Sequence, residues 1–167
     1  MRITKYNPAN RDDRGAYLDA SEWTSISNIG RVAYNSPTYA AYKATEDAYV
    51  NAILLILAEK GIGSLKITGL ERHTREADFS RLKRGGTLQD LTFGFAETQH
   101  LREGASISVA EMPEIIRLIL REIIWMILLS DEIRVEFGYD YYMYVTCEKL
   151  QPATVEQIER TGLFVDN

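Results

Sequence analysis

Seven consecutive apolar residues, Ile123 to Leu129 (IIWMILL), constrain this chain more than any other stretch. A run that is apolar at every position leaves no face for solvent, so the element it forms must lie inside the molecule. It is not a membrane span, which needs about 20 predominantly apolar residues, and Arg117, Arg121 and Glu122 interrupt the sequence just before it. Upstream, Ser108-Val109-Ala110-Glu111 has the spacing of a capping box, and Pro113 is tolerated in a first turn. The pattern predicts one helix from Ser108 to about Leu129, the central buried helix, with Glu114, Arg117 and Arg121 as its solvent stripe.

Other elements are expected around it. Arg2 to Tyr6 and Trp23 to Ile29 read as short strands separated by a turn-rich polar loop over 7–22. Ser36 is a candidate N-cap and Pro37 a candidate first helical residue. Tyr42, Thr45, Tyr49, Ala52, Ile53 and Ile56 then follow at helical spacing until Gly61 stops them. Ser64 to Leu70 alternates like a strand, with Leu65 and Ile67 on one face. Residues 71–106 give little periodicity and read as loops with a short helix or strand. Ile133, Val135 and Phe137, a turn at Gly138 to Asp140, and Tyr141 to Val145 make a hairpin signature. Thr154 to Gln157 is a second capping-box pattern, opening a short helix that Gly162 closes before a last strand, Leu163 to Val165. The expected class is α+β: a single domain over 1–167, with a largely antiparallel sheet, packed helices and one central buried helix.

Composition narrows the functions. With 46% hydrophobic and 26% charged residues, 167 residues can bury a core without a metal or disulfide staple. A single cysteine, Cys147, and no apolar leader in the first ten residues point to a reducing, cytoplasmic setting. The net charge of −5 argues against direct nucleic-acid binding. Residues 1–102 carry 14 basic and 12 acidic side chains, whereas 103–167 carry 5 and 12, so the acid is concentrated late in the chain. That suits a basic protein partner, although −5 is also an ordinary solubility charge.

Catalytic constellations are not legible. His73 and His100 lie 27 positions apart without ligand spacing, so no metal and no cofactor is expected. Gly61-Ile62-Gly63 follows a helix instead of opening one and cannot cradle a phosphate. Cys147 reads as a packing thiol. Asp140 suits a turn, a protein contact or, as a weaker alternative, a small hydrolase. The hairpin is the distinctive feature, with Phe137, Tyr139, Tyr141, Tyr142 and Tyr144 within eight residues. Alternation separates Tyr142 and Tyr144 from Tyr141, Met143 and Val145. Either one face presents phenols beside Glu136 to a partner, or helices cover both faces and bury every ring.

Four spaced segments carry a resemblance: Arg2 to Pro8 (RITKYNP), Glu22 to Gly30 (EWTSISNIG), Gly138 to Val145 (GYDYYMYV) and Gly162 to Val165 (GLFV). Together they resemble bacterial immunity proteins encoded beside polymorphic toxins, including those of contact-dependent growth inhibition. The resemblance implies a non-enzymatic cytoplasmic inhibitor that binds a cognate toxin domain, and charge suggests that the toxin is a basic nuclease whose cleft is occluded. The expected contacts are Glu136, Tyr139, Asp140, Tyr142 and Tyr144 of the hairpin, Asp12 and Asp13 of the first loop, and Asp131 and Glu132 of the preceding turn. An adaptor domain without a toxin partner is the alternative.

Overall fold

The computed structural model describes residues 1–19, 21–29 and 37–166. Strands β1 (Arg2–Thr4), β2 (Ser64–Arg72), β3 (Ser106–Ser108), β4 (Ile124–Leu129), β5 (Arg134–Phe137), β6 (Met143–Thr146) and β7 (Phe164–Asp166) form one sheet in the order β3-β2-β4-β5-β6-β1-β7. Every neighbouring pair is antiparallel. The helices are α1 (Tyr39–Lys60), α2 (Glu76–Arg84), α3 (Phe95–His100), α4 (Met112–Leu120) and α5 (Pro152–Glu159). The α+β class follows directly.

The apolar run is a strand, not the end of a helix. Helix α4 stops at Leu120, and IIWMILL supplies β4, third in the sheet order between β2 and β5. Ile124, Met126 and Leu128 are buried, while Trp125, Ile127 and Leu129 point to the other face. Buried side chains of β1, β2, β4, β5 and β6 join those of α1, α4 and α5 in one core. The opposite sheet face is not sealed in this way: Trp125 and Ile127 are half-buried, Leu129 is 37% exposed and Tyr144 is 44% exposed. The alternative in which every hairpin ring is buried is therefore excluded.

Several boundaries also move. Thr38 caps α1, its hydroxyl accepting from the Ala41 amide at 3.1 Å, and Pro37 precedes the cap; Ser36 lies outside the described residues. Residues expected as a strand near Trp23 instead include a single 3-10 turn, Ile26–Asn28, capped by Ser25. Helix α5 begins at Pro152 behind Gln151, two residues before Thr154, and the last strand is Phe164–Asp166. The Ser108–Glu111 contact does form, with the Ser108 amide donating to the Glu111 carboxylate at 2.9 Å, but it closes β3 ahead of α4. The weakly patterned stretch holds α2, α3 and β3 and contributes Phe79, Leu88, Leu91 and Leu101 to the core.

Arg121 corrects a further expectation, since it is 3% exposed rather than part of a solvent stripe. Its guanidinium donates to both Glu46 carboxylate oxygens, at 2.6 and 2.7 Å, and to Asp90 and the Thr87 carbonyl, each at 2.8 Å. The fork thereby ties α1 and the segment after α2 to the end of α4. Burial alone would raise the Asp90 carboxyl, but hydrogen bonds from Arg121 and Tyr39 hold it well below the usual carboxylate range.

Candidate functional site

The end of α4 repeats a closing turn already present at the end of α1. In α1 the Gly61 amide bonds the Ala58 carbonyl and the Ile62 amide bonds the Leu57 carbonyl, with Gly61 in the left-handed region at φ 66°. In α4 the Glu122 amide bonds Ile119 and the Ile123 amide bonds Leu118, with Glu122 at φ 59°. This is the Schellman arrangement, which glycine normally completes because a Cβ is disfavoured there. Glu122 stands in the glycine position, and its carboxylate projects beside the start of β4.

The β5–β6 loop adds the facing wall. The Gly138 amide donates to the Tyr142 carbonyl at 2.8 Å and the Tyr142 amide to the Tyr139 carbonyl at 3.2 Å. Between them Asp140 and Tyr141 both have positive φ, 57° and 62°, where Asn-Gly is the usual choice. The Tyr141 side chain holds this turn: it is 5% exposed, its hydroxyl donates to the Leu120 carbonyl at 3.1 Å, and its ring meets Trp23 edge-on at 5.2 Å. Tyr49 also donates its hydroxyl to the Tyr141 carbonyl. Anchoring Tyr141 inward leaves Tyr139, 93% exposed, and Asp140 outside.

A bulge in β2 supplies the third wall. The register shifts between Thr68 and Glu71, where Gly69 has φ 65°, so that Glu71 rather than Leu70 lies opposite Trp125. The amides of Gly69 and Leu70, unpaired by the bulge, each donate to the Glu103 carboxylate at 3.1 Å. The His73 amide then bonds the Ile123 carbonyl at 3.0 Å.

These walls enclose a cleft of about 670 Å³ at the end of the sheet where β4 begins and β5 ends. Glu71, Glu122, Glu136 and Asp140 line it, with Trp125 and Tyr139 as aromatic surface, and no lysine or arginine is among its lining residues. Desolvation raises the Glu122 carboxyl; the His73 charge opposes this and the Asp140 charge adds to it. His73 Nε2 lies 3.3 Å from Glu71, and Arg134 partly answers Glu136 at 2.8 Å from outside the lining. The Trp125 indole donates to the Phe137 carbonyl at 2.7 Å, fixing the wall between β4 and β5.

Of the residues expected from sequence, Glu136, Tyr139 and Asp140 meet in this cleft. Tyr144 lies next to it on the open sheet face, paired in register with Glu136. Tyr142 turns away: its ring packs on Tyr6 at 5.3 Å and beneath the guanidinium groups of Arg2 and Arg11, which share Asp166. Asp12 closes its own loop by accepting from the Arg14 and Ala16 amides at 2.9 and 2.8 Å, and Asp13 is exposed nearby. Asp131 and Glu132 occupy the turn at the far end of β4, about 17 Å away along the strand. Glu71, Glu122 and Trp125 join the site without any local sequence signal, because a β-bulge and a glycine-free helix end bring them there.

Cys147 is half-buried after β6, and burial pushes its thiol up, which disfavours the reactive thiolate. A smaller cavity of about 150 Å³ holds Lys5, but that ammonium is paired with Glu22 and lies 3.9 Å from the Trp23 ring centre. Among the described residues no group of three or more His, Cys, Asp or Glu could hold a metal, and no helix is long and apolar enough to cross a membrane. Comparison with known family models, curated proteins and solved structures finds no match to this chain.

Proposed function

We propose that the chain is an immunity-type inhibitor that neutralises a basic toxin domain by direct binding, with the acidic cleft as the centre of contact. The observation that supports this reading is the cleft itself, where four carboxylates converge with four aromatic residues, Trp125, Phe137, Tyr139 and Tyr141, and the lining holds His73 but no lysine or arginine. A toxin nuclease must present a basic cleft to hold phosphates. Carboxylates set on three separate elements can occupy the positions of those phosphates, and exposed Tyr139 can anchor the contact. The turns at Glu122 and at Asp140–Tyr141, and strands β2 and β5, fix the backbone that carries the four carboxylates before the partner arrives, which lowers the ordering cost of association.

The test is co-expression with the protein encoded immediately upstream, co-purification, and calorimetry at two salt concentrations. A 1:1 complex of nanomolar or tighter affinity that weakens with salt is expected. Reversing Glu122 and Asp140 together to lysine should weaken it by about 2 kcal/mol or more. A complex indifferent to both salt and charge reversal would remove the cleft from the contact.

A further inference from the structure

The open sheet face runs directly into the cleft, because Trp125 belongs to both. Along β4 the outward residues Trp125, Ile127 and Leu129 form an apolar stripe whose members are about 6.8 Å apart. Cross-strand register places specific neighbours beside each. Glu71 pairs with Trp125, Thr68 and Glu136 flank Ile127, and Lys66 and Arg134 flank Leu129. The stripe is therefore acidic at the cleft, while at the other end Arg134 is paired with Glu136 and the exposed Asp131–Glu132 turn follows, so that Lys66 is the basic group offered there.

We infer that this face and the cleft together receive one amphipathic α-helix of the partner protein, apolar along the stripe, basic at its cleft end and acidic at its other end. This deepens the toxin-binding reading and rests on it for the partner's identity. Successive residues four apart on a helix advance about 6 Å, close to the spacing of alternate strand residues, so apolar side chains at i, i+4 and i+8 meet Trp125, Ile127 and Leu129 in turn. Arginine or lysine one turn further reaches Glu122 and Asp140. An acidic side chain at the opposite end meets Lys66, which is exposed. An anionic lipid surface is disfavoured by the cleft, and a second copy related by an axis across the strands would set Glu136 against its own counterpart.

The probe is a synthetic helical peptide of about 18 residues with leucine at i, i+4 and i+8, arginines in one terminal turn and glutamates in the other. Trp23 is 8% exposed, so quenching of tryptophan fluorescence by neutral acrylamide reports mainly on half-buried Trp125. Saturable protection from quenching is expected, weakened at least about tenfold by Ile127→Glu and by Leu129→Glu, and made less salt-sensitive by Asp140→Asn. Circular dichroism checks that each variant is folded, and Leu129, on the more exposed end of the strand, keeps the test open if Ile127→Glu is not. Equal protection by a peptide with the leucines scrambled overturns the inference. So does binding of phosphatidylglycerol vesicles in place of the peptide, or a dimer of the chain alone that Ile127→Glu dissociates. A toxin complex untouched by Ile127→Glu and Leu129→Glu overturns this inference while leaving the toxin reading intact. Absence of any toxin complex with the unmodified chain overturns the reading instead.

Discussion

Glu122 and Gly61 complete the same backbone turn, yet only one of them carries a side chain that the left-handed region disfavours. Glu122→Gly is expected to raise the unfolding free energy by about 1 kcal/mol in a urea titration while weakening the proposed toxin complex. A loss of stability instead would mean that the carboxylate makes a compensating contact in the folded chain. Tyr141→Phe keeps the ring but removes the hydroxyl that reaches the Leu120 carbonyl, leaving a buried acceptor without its partner. It should cost about 1–3 kcal/mol by the same titration. Residue-level legibility followed the strength of the pattern. Two-residue alternation in the hairpin correctly separated Tyr141, Met143 and Val145 from exposed Tyr144, and so brought Glu136 near the phenols. Nothing comparable marked Glu122, because the glycine that usually announces such a turn is absent.

That missing glycine also explains the main error at the level of elements. A strand buried on one face and apolar on the other presents no polar alternation, so IIWMILL reads equally as strand or buried helix. Without a stop signal after Leu120, the sequence pattern continues as helix straight through it. Strand β2, the hairpin, the two terminal strands and α1 are legible, since each has a clear period or a Gly61-type stop, whereas β3 and β4 are not. The cleft is not legible either, because a bulge in β2 and a turn after α4 build half of it through long-range register. Arg121 was misplaced for the same reason: its partners Glu46 and Asp90 are 75 and 31 positions away. Arg121→Met removes the bidentate partner of buried Glu46 but leaves it Lys43 at 3.3 Å, Arg117 at 3.6 Å and the Tyr42 hydroxyl at 3.2 Å, and should cost about 1–3 kcal/mol in chemical denaturation. The Asp90 carboxyl is held low in the folded chain, so the unfolded chain takes up its proton first as pH falls. Its stabilisation is complete above about pH 4 and is lost below that as pH approaches the depressed folded value. Asp90→Asn should therefore lower stability at neutral pH and flatten the acid limb of the stability curve below about pH 4; an unchanged limb would show that other carboxylates govern acid unfolding.

The whole molecule is a sheet with helices sealing one face and a polarised surface on the other, and its net charge of −5 is spread unevenly enough to act at a distance. If the chain binds the proposed basic toxin domain, stopped-flow association should slow as ionic strength rises, whereas dissociation changes little, because long-range attraction is screened before contacts within the interface are. Equal sensitivity of both rates would place the charges in the desolvated contact alone. Sheet topology also sets a timetable. Strand β1 lies between β6 and β7, and its register sets Arg2 beside Tyr144 on one side and Asp166 on the other, partners made more than about 140 residues later. At about 5–20 residues per second of synthesis, β1 waits roughly 7–30 s for its neighbours to be made. Ile3 stays without its core for that interval, and the β1 side of the sheet closes only once the ribosome has delivered both flanking strands.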